Sequence, residues 1–261
     1  FLLHPARRRA AGSGGHATAG RPSAGDAQCN RARDGAFAGS TTPIPAAGAG
    51  KRMGGNQKKQ YLHLKGKPVL YHTIKAFNAH PLITEIILVA PIDDLEFIRL
   101  EIATEFDKIS AIVAGGKERQ DSVMNGLAKV SESATIILVH DGVRPLIQAK
   151  QIDDICQALQ DNDAAVIAVP EKNTVKLVEN GFVVATPERS KVWSIQTPQG
   201  MKADVFRLCY NKLSTQNVLG TDEAMIAENF GYKVAVIPGD YKNIKLTTPE
   251  DLQIAELFLE N

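Results

Sequence analysis

The chain has 261 residues, enough for one substantial domain or for one domain with an appendage. Its residues are 44% hydrophobic and 23% charged, an ordinary globular balance, and a formal net charge of +1 gives no electrostatic case for a nucleic-acid or membrane partner. No apolar run approaches the roughly 18 to 20 residues that cross a bilayer. Any phosphate recognition must therefore come from local clusters of charge.

Residues 1–42 differ in composition from the rest of the chain. They are rich in Ala, Gly and Arg, contain only Asp26 and Asp34 as acids, and show no helical or strand periodicity. Such a segment cannot bury enough apolar surface to offset its ordering entropy, so we expect disorder. Its Arg-rich character also suggests an organelle transit peptide, but we favour non-native or mistranslated upstream sequence. The protein is then expected in the cytoplasm, or in a plastid if the leader is a genuine transit peptide.

From residue 43 to residue 261, short apolar runs alternate with amphipathic segments. This alternation predicts one α/β domain with a mostly parallel, twisted sheet that is flanked by helices. The predicted strands are at 85–90, 110–114, 135–140 and 164–169, and the predicted helices are near 68–80, 93–105, 118–130, 150–161, 201–212, 221–229 and 248–260.

A β-hairpin is predicted at about 171–191. Asn180-Gly181 separates the alternating runs 174–178 and 182–186, and Asn-Gly in this setting is the strongest short hairpin signal. The hairpin is either a projecting arm used for dimerisation or an ordinary edge hairpin.

The cysteines, Cys29, Cys156 and Cys209, are far apart and lack zinc-ligand spacing, which predicts buried or free thiols in a reducing compartment.

The segment 45–54 is a candidate phosphate-binding loop. Gly48 and Gly50 allow backbone N–H groups to approach phosphate oxygens, and Lys51 and Arg52 add positive charge. Its spacing misses the dinucleotide-binding fingerprint, and Arg52 stands where the ATP-binding loop requires Ser or Thr. A Gly-rich turn with an exposed Lys remains the alternative.

Three other segments carry candidate site residues. Asp141 directly follows the apolar run 135–139 and suits a divalent cation held jointly with phosphates, or else a turn cap. The segment 115–123 is a Gly turn that opens a helix, where backbone groups and Ser122 could hydrogen-bond a base edge, or it is a solvated helix start. Lys245 precedes an N-cap at Thr248 and either faces the site or is an ordinary surface Lys.

Taken in chain order, seven motifs resemble the 2-C-methyl-D-erythritol 4-phosphate cytidylyltransferases over about residues 44–259. The motifs are Pro-Ala-Ala-Gly-x-Gly-x-Arg-Met at 45–53, Lys-Gln-Tyr-Leu at 59–62, Gly-x-Glu-Arg-x-Asp-Ser-Val at 116–123, His-Asp-x-x-Arg-Pro at 140–145, Thr-Pro-Gln at 197–199, Thr-Asp-Glu-Ala at 221–224 and Asn-Ile-Lys at 243–245.

The resemblance implies a nucleotide-diphosphosugar transferase-like fold and a homodimer interlocked by hairpin arms. It implies a reaction, dependent on Mg²⁺ or another divalent cation, in which methylerythritol phosphate attacks the α-phosphorus of CTP. The products would be CDP-methylerythritol and pyrophosphate, in non-mevalonate isoprenoid biosynthesis. Since the attacking phosphate is already anionic, no general base is needed, and His140 is expected to be a packed neighbour of Asp141.

Carried over position by position, the resemblance assigns Arg52 and Lys59 to the charge that develops at the α-phosphate and leaving group, and Lys245 to the phosphates from the opposite side. Asp141 would help place the metal. The nucleotide-binding positions would be Ala46, Ala47, Gly48, Ala49, Gly50, Gly116, Lys117, Ser122, Gly142 and Arg144. The acceptor-binding positions would be Asp141, Thr174, Arg189 and Thr221, with Arg189 reaching across from the partner's arm.

Two departures from the family pattern are visible. Family members normally have a full apolar strand before the first motif, whereas here the strand-like run before Pro45 is only Thr42-Pro43-Ile44, which predicts a shortened first strand. Lys58 stands where a Pro commonly precedes the catalytic Lys. A ribitol-5-phosphate cytidylyltransferase and a non-catalytic nucleotide-binding protein on the same fold are the alternatives. Gly142 and the motif 45–48 favour the methylerythritol enzyme over the first. Retention of Arg52, Lys59 and Lys245 favours it over the second.

Overall fold

Strands and helices alternate along the chain as its hydrophobic pattern predicts. The computed structural model describes residues 39–46, 58–216 and 220–260, apart from the side chains of 214–216. The strands are β1 (Ser40–Pro45), β2 (His63–Leu64), β3 (Lys67–Pro68), β4 (Ile83–Ala90), β5 (Ile109–Ala114), β6 (Ile136–Val139), β7 (Ala164–Pro170), β8 (Leu177–Glu179), β9 (Phe182–Ala185), β10 (Trp193–Lys202) and β11 (Val234–Pro238). The helices are α1 (Val69–Asn78), α2 (Leu95–Glu101), α3 (Arg119–Leu127), α4 (Ala149–Asp161), α5 (Ala203–Gln216), α6 (Glu223–Asn229) and α7 (Pro249–Glu260).

The central sheet has seven strands in the order β11-β7-β10-β6-β1-β4-β5. All neighbouring pairs are parallel except those that β10 makes with β6 and β7, which confirms the mostly parallel sheet. The chain runs from β1 outward to β4 and β5, and then returns to place β6 on the other side of β1. The carboxyl ends of β1 and β6 therefore form a switch point, where open α/β sheets bind ligands.

Helices cover both faces of the sheet. Successive residues of β4 point to opposite faces, so Ile86 and Leu88 belong to one buried cluster and Ile87 and Val89 to the other. The first cluster takes side chains from α1, α2 and α4, and the second takes them from α3, α5 and α6. This two-sided burial explains why the strands read as continuous apolar runs.

The first strand is longer than predicted. β1 starts at Ser40 and pairs with β4 along its whole length, so the boundary expected at 42/43 and the shortened first strand were both wrong. The polar side chains Ser40, Thr41 and Thr42 are buried, and Thr41 Oγ1 donates to Glu85 at 2.8 Å. Because these three residues are polar, the start of the strand does not show the apolar pattern by which strands were predicted. The remainder of the predicted leader, 1–38, lies outside the described residues.

Two strands of the main sheet were not predicted. β10 runs antiparallel between β6 and β7 and contains Pro198, and its pairing with β7 is irregular between Ile195 and Gln199. Because Pro normally marks a sheet edge or a bulge, this segment did not resemble a central strand. β11 is an edge strand whose residues are half-buried or exposed.

The predicted hairpin is present as a separate two-stranded sheet of β8 and β9. Asn180 and Gly181 both have positive φ, 50° and 83°, as a two-residue hairpin turn requires. The strands are shorter than predicted, and Thr174 precedes them.

Cys156 and Cys209 are buried free thiols as expected, whereas Cys29 lies outside the described residues. Across the described ranges, no helix has the length and apolar character needed to span a membrane.

Candidate active site

Three of the predicted site residues, Ala46, Asp141 and Gly142, lie directly after the carboxyl ends of β1 and β6. Gly142 N donates to Pro45 O at 3.2 Å, which joins the two strand ends. A Cβ on Gly142 would lie 3.0 Å from Ala46 Cβ, so a side chain there would push the strand ends apart. The loop that carries Arg52 and the nucleotide-binding positions Ala47, Gly48, Ala49 and Gly50 lies outside the described residues, and its roles remain predictions.

Asp141 is the centre of a compact charge cluster. Its carboxylate lies 2.8 Å from Lys245 Nζ, 3.6 Å from Arg144 Nε and 3.7 Å from Arg119 Nε. The Asp141 side chain is 10% exposed, whereas that of Lys245 is 39% exposed. A ligand at this edge of the sheet can therefore contact more of Lys245 than of the Asp141 carboxylate beside it.

The charges around Asp141 decide its protonation state. Burial alone would raise the pKa of this carboxyl, but Lys245 and Arg119, with a smaller contribution from Arg144, hold the pKa well below its ordinary value. Asp141 is thus an anion at neutral pH. Arg119 is also paired with the carboxylate of Glu223, so by formal charge the three cations around Asp141 exceed the carboxylates by one. This local positive charge suits anionic phosphates.

His140 is a structural neighbour of Asp141, as predicted. The imidazole is fully buried and lies 3.0 Å from Thr197 Oγ1 through Nδ1 and 3.0 Å from Arg144 O through Nε2. Burial lowers its pKa to about 4, so the ring is neutral at pH 7. Thr197 also accepts from Asp141 N at 3.1 Å, and His140 and Thr197 together fix the turn that carries Asp141.

Lys245 is positioned by buried Asn243. The Asn243 side chain donates from Nδ2 to Thr197 O at 2.9 Å, and the Asn243 backbone carbonyl accepts from Arg144 Nη1 at 2.8 Å. Leu246 N donates to Val143 O at 2.9 Å on the other side of Lys245. These bonds tie the 243–246 segment to the 140–144 turn, which explains why motifs so distant in sequence meet.

The turn before α3 is held together by its own side chains. Gly116 N donates to Ser122 Oγ at 3.1 Å, and Ser122 Oγ donates to Glu118 O at 3.2 Å. Glu118 and Asp121 form a capping box at the helix start. A Cβ on Gly116 would lie 2.2 Å from Asp121 Cβ, so this position requires glycine. Ser122 therefore shapes the turn, and its contact with a base remains a prediction, as does that of Lys117.

Lys59 lies in a short 3-10 helix, Lys59–Tyr61, that is anchored on both sides. Lys58 Nζ lies 2.6 and 2.7 Å from the two carboxylate oxygens of Asp94, and Tyr61 OH donates to the same carboxylate at 2.8 Å. Gln60 Nε2 donates to Ala46 O at 2.8 Å, which links this helix to the end of β1. Lys58, which replaces the expected Pro, thus provides an ion pair that holds the segment.

The arm residues are not part of this cluster within the chain. Thr174 and Arg189 are exposed and lie at the two ends of the β8–β9 excursion. Thr221 is also exposed and donates to Met225 Sδ at 3.3 Å. Their assigned contacts with the acceptor therefore remain predictions.

The surroundings of Asp141 do not fit a divalent cation held by protein side chains. Its carboxylate is already paired with Lys245 and lies close to two guanidinium groups. Among the residues that the structure describes, no group of three or more His, Cys, Asp or Glu side chains could hold a metal ion. Asp141 as a direct metal ligand is therefore disfavoured by the cations around it.

Together, the switch point, the positively charged cluster and the glycine turn define an α/β enzyme site for phosphorylated ligands. Residues 41–261 match the family model of 2-C-methyl-D-erythritol 4-phosphate cytidylyltransferase. The chain is 44% identical over 222 residues to the enzyme of that name from Geobacter metallireducens, covering 83% of this chain and 96% of the relative. It is 46% identical over 218 residues to the Clostridium botulinum enzyme, covering 83% and 97%.

Solved structures give the same result. The 4-diphosphocytidyl-2C-methyl-D-erythritol synthase of Anaerococcus prevotii superposes with a TM-score of 0.77 at 32% identity, covering 87% of this chain and 100% of that one. The Francisella tularensis 2-C-methyl-D-erythritol 4-phosphate cytidylyltransferase gives a TM-score of 0.73 at 31% identity, covering 84% and 99%. The chain belongs to the 2-C-methyl-D-erythritol 4-phosphate cytidylyltransferase family.

Proposed function

We propose that this chain transfers the cytidylyl group of CTP to 2-C-methyl-D-erythritol 4-phosphate in non-mevalonate isoprenoid biosynthesis. The family match over residues 41–261 carries this proposal. The geometry agrees with it, because Asp141 and Lys245 come from two family motifs and meet at the ligand-binding end of the sheet.

The reaction is a substitution at the α-phosphorus of CTP. An oxygen of the acceptor phosphate forms a bond to that phosphorus, the bond to the oxygen bridging to the β-phosphorus breaks, and pyrophosphate leaves with that oxygen. No proton has to be removed from the nucleophile. Catalysis then depends on positioning and on fixed positive charge, which is how proteins accelerate phosphoryl-type transfers.

Lys245 supplies such a charge next to Asp141, at the carboxyl end of β6. Its ammonium is oriented by Asp141 at 2.8 Å and is still partly exposed, so it can hold the acceptor phosphate and the transferred phosphate at the same time. Lys59 and Arg52 act on the α-phosphate and the leaving group. Asp141 orients the acceptor hydroxyls. Arg144 holds the turn that carries Asp141 by donating to the backbone carbonyl of Asn243.

Mg²⁺ is proposed as an ion that enters with CTP. Mg²⁺ keeps several water ligands and is commonly bound through substrate phosphates with one or two carboxylates. In this site the nucleotide phosphates would supply most of its ligands, because Asp141 is engaged by cations. Bound in this way, the ion would neutralise charge on the triphosphate.

The β8–β9 hairpin is proposed as the arm of a homodimer, with Arg189 of one arm serving the partner's acceptor site. Five apolar side chains of the hairpin are more than half exposed, and Phe182 is 77% exposed. An apolar patch of this kind on a hairpin that makes its own separate sheet is typical of a protein interface.

The proposal is tested by pyrophosphate release from CTP and Mg²⁺, with methylerythritol phosphate and ribitol 5-phosphate offered separately. We expect turnover with methylerythritol phosphate. Turnover only with ribitol 5-phosphate would assign the chain to a different acceptor, and turnover with neither would favour a non-catalytic nucleotide-binding protein.

A further inference from the structure

The Arg119 guanidinium bridges two buried carboxylates, Glu223 at the start of α6 and Asp141 directly after β6. Its Nη1 and Nη2 donate to Glu223 Oε1 and Oε2 at 2.7 and 2.8 Å, and its Nε lies 3.7 Å from Asp141 Oδ1. The Glu223 side chain is 1% exposed, and Tyr210 OH donates to Glu223 Oε1 at 3.3 Å. Burial opposes a charge on Arg119, but the attraction of Glu223 and then of Asp141 raises its pKa above the usual value, so the guanidinium stays charged.

Glu223 begins α6, and the residues just before it form the loop that carries Thr221. This loop is attached to the rest of the site at two further points. Gly220 N donates to the side chain of Gln120 at 3.0 Å, and Gln199 Nε2 donates to Asp222 at 3.1 Å. Arg119 and Gln120 both lie at the start of α3, so this helix end holds the 220–223 loop next to Asp141.

The nucleotide side of α3 does not depend on the Arg119 side chain. The Gly116 turn is closed by Ser122, and the helix start is capped by Glu118 and Asp121. A change in the Arg119 side chain should therefore move the acceptor side of the site while leaving the glycine turn in place.

We propose that Arg119 is a positioning residue that sets the placement of Asp141 relative to the Thr221 loop, and thereby governs binding of the acceptor rather than of CTP. This inference rests on the proposed function, in which Asp141 and Thr221 contact the acceptor. The planar fork is essential, because a bidentate pair fixes both the distance and the angle between the two elements, whereas an ammonium fixes neither.

The test is steady-state kinetics of Arg119→Lys, which keeps the charge and removes the fork. Because a displacement of about 1 Å can cost about a hundredfold, we expect a KM for methylerythritol phosphate at least about tenfold higher, with the KM for CTP within about twofold. Arg99→Lys is the matched control, since it alters an exposed ion pair with Glu96 and should leave both constants unchanged. Glu223→Asp keeps the charge and withdraws the carboxylate by one methylene, so it should reproduce the effect if Arg119→Lys does not fold.

A double-mutant cycle separates this role from a general loss of stability. If the fork acts by placing Thr221, the KM effect of Arg119→Lys shrinks at least about threefold in a Thr221→Ala background. Equal rises in both KM values, or an unchanged KM for the acceptor, would overturn the inference. Thr221→Ala with an unchanged acceptor KM would contradict only the role of Thr221. The role of Arg119 would then be decided by whether Arg119→Lys raises the KM for the acceptor more than the KM for CTP.

If the unaltered chain shows no turnover, the proposed function fails. The inference is then tested by calorimetry, in which Arg119→Lys should raise the dissociation constant of methylerythritol phosphate, measured in the presence of CTP, at least about tenfold and that of CTP by no more than about twofold.

Discussion

Lys245 Nζ lies 2.8 Å from Asp141 Oδ2, and this pair joins a loop after the β6 strand to a loop before α7. The pair is not an ordinary surface salt bridge, because Asp141 is buried and two guanidinium groups approach it as well. Its consequence is a fixed ammonium group at the mouth of the site.

Replacing Lys245 by Ala should slow turnover by at least about a hundredfold, because one preorganised charge donor is lost. The measurement is kcat for pyrophosphate release at saturating CTP and acceptor. Lys242→Ala is the control, since this exposed Lys lies over the Phe258 ring and not beside Asp141. A reduction of tenfold or less would remove Lys245 from the catalytic group.

Lys59→Ala should have a similar effect, and the anchor of its segment can be tested separately. Asp94→Asn weakens the bonds to Lys58 and Tyr61 without touching Lys59, and we expect kcat to fall by about tenfold through misplacement. Asp93→Asn alters the neighbouring exposed carboxylate and should be neutral. Equal kcat values for the Asp94 and Asp93 variants would show that the anchor does not matter for turnover.

His140 makes stability depend on pH. Its pKa is about 4 in the fold, below the usual 6.5, so the unfolded chain binds this proton more tightly. The stabilisation is complete above about pH 6.5 and is lost as the pH falls through 4, by at most about 3 kcal/mol. Urea unfolding between pH 7 and 4 should show a smaller loss for His140→Asn than for His63→Asn, a change at an exposed His. Parallel pH dependences would contradict the account.

Phe182→Glu should weaken the dimer, because it places a charge at the most exposed apolar side chain of the arm. Light scattering over a range of concentrations should show a larger monomer fraction than in the unaltered chain. Leu100→Glu on α2, which is 59% exposed, tests whether any exposed apolar position has this effect. If the unaltered chain is monomeric at all concentrations, the proposal that the hairpin is a dimerisation arm is wrong.

Much of the fold could be predicted from sequence, because strands covered on both faces are continuous apolar runs and the helices between them are amphipathic. The exceptions have physical causes. β1 starts with three hydroxyl residues whose burial is only visible in the sheet, and β10 carries a Pro that normally argues against a central strand.

The site was less predictable than the fold. The motifs placed Asp141 and Lys245 in one site, and the structure shows their contact. The pairing of Arg119 with Glu223 was missed, although both residues lie inside motifs that were recognised. Opposite charges at two such positions were the available signal, but only tertiary packing reveals which partners meet.

The most direct test of the central claim is the fate of oxygen-18 in the acceptor phosphate. Methylerythritol phosphate labelled in its phosphate oxygens is incubated with CTP, Mg²⁺ and the chain, and the products are weighed by mass spectrometry. Attack of the acceptor phosphate on the α-phosphorus predicts CDP-methylerythritol that retains every label, and unlabelled pyrophosphate. Label in pyrophosphate, or CMP released in place of the CDP-linked product, would contradict the account.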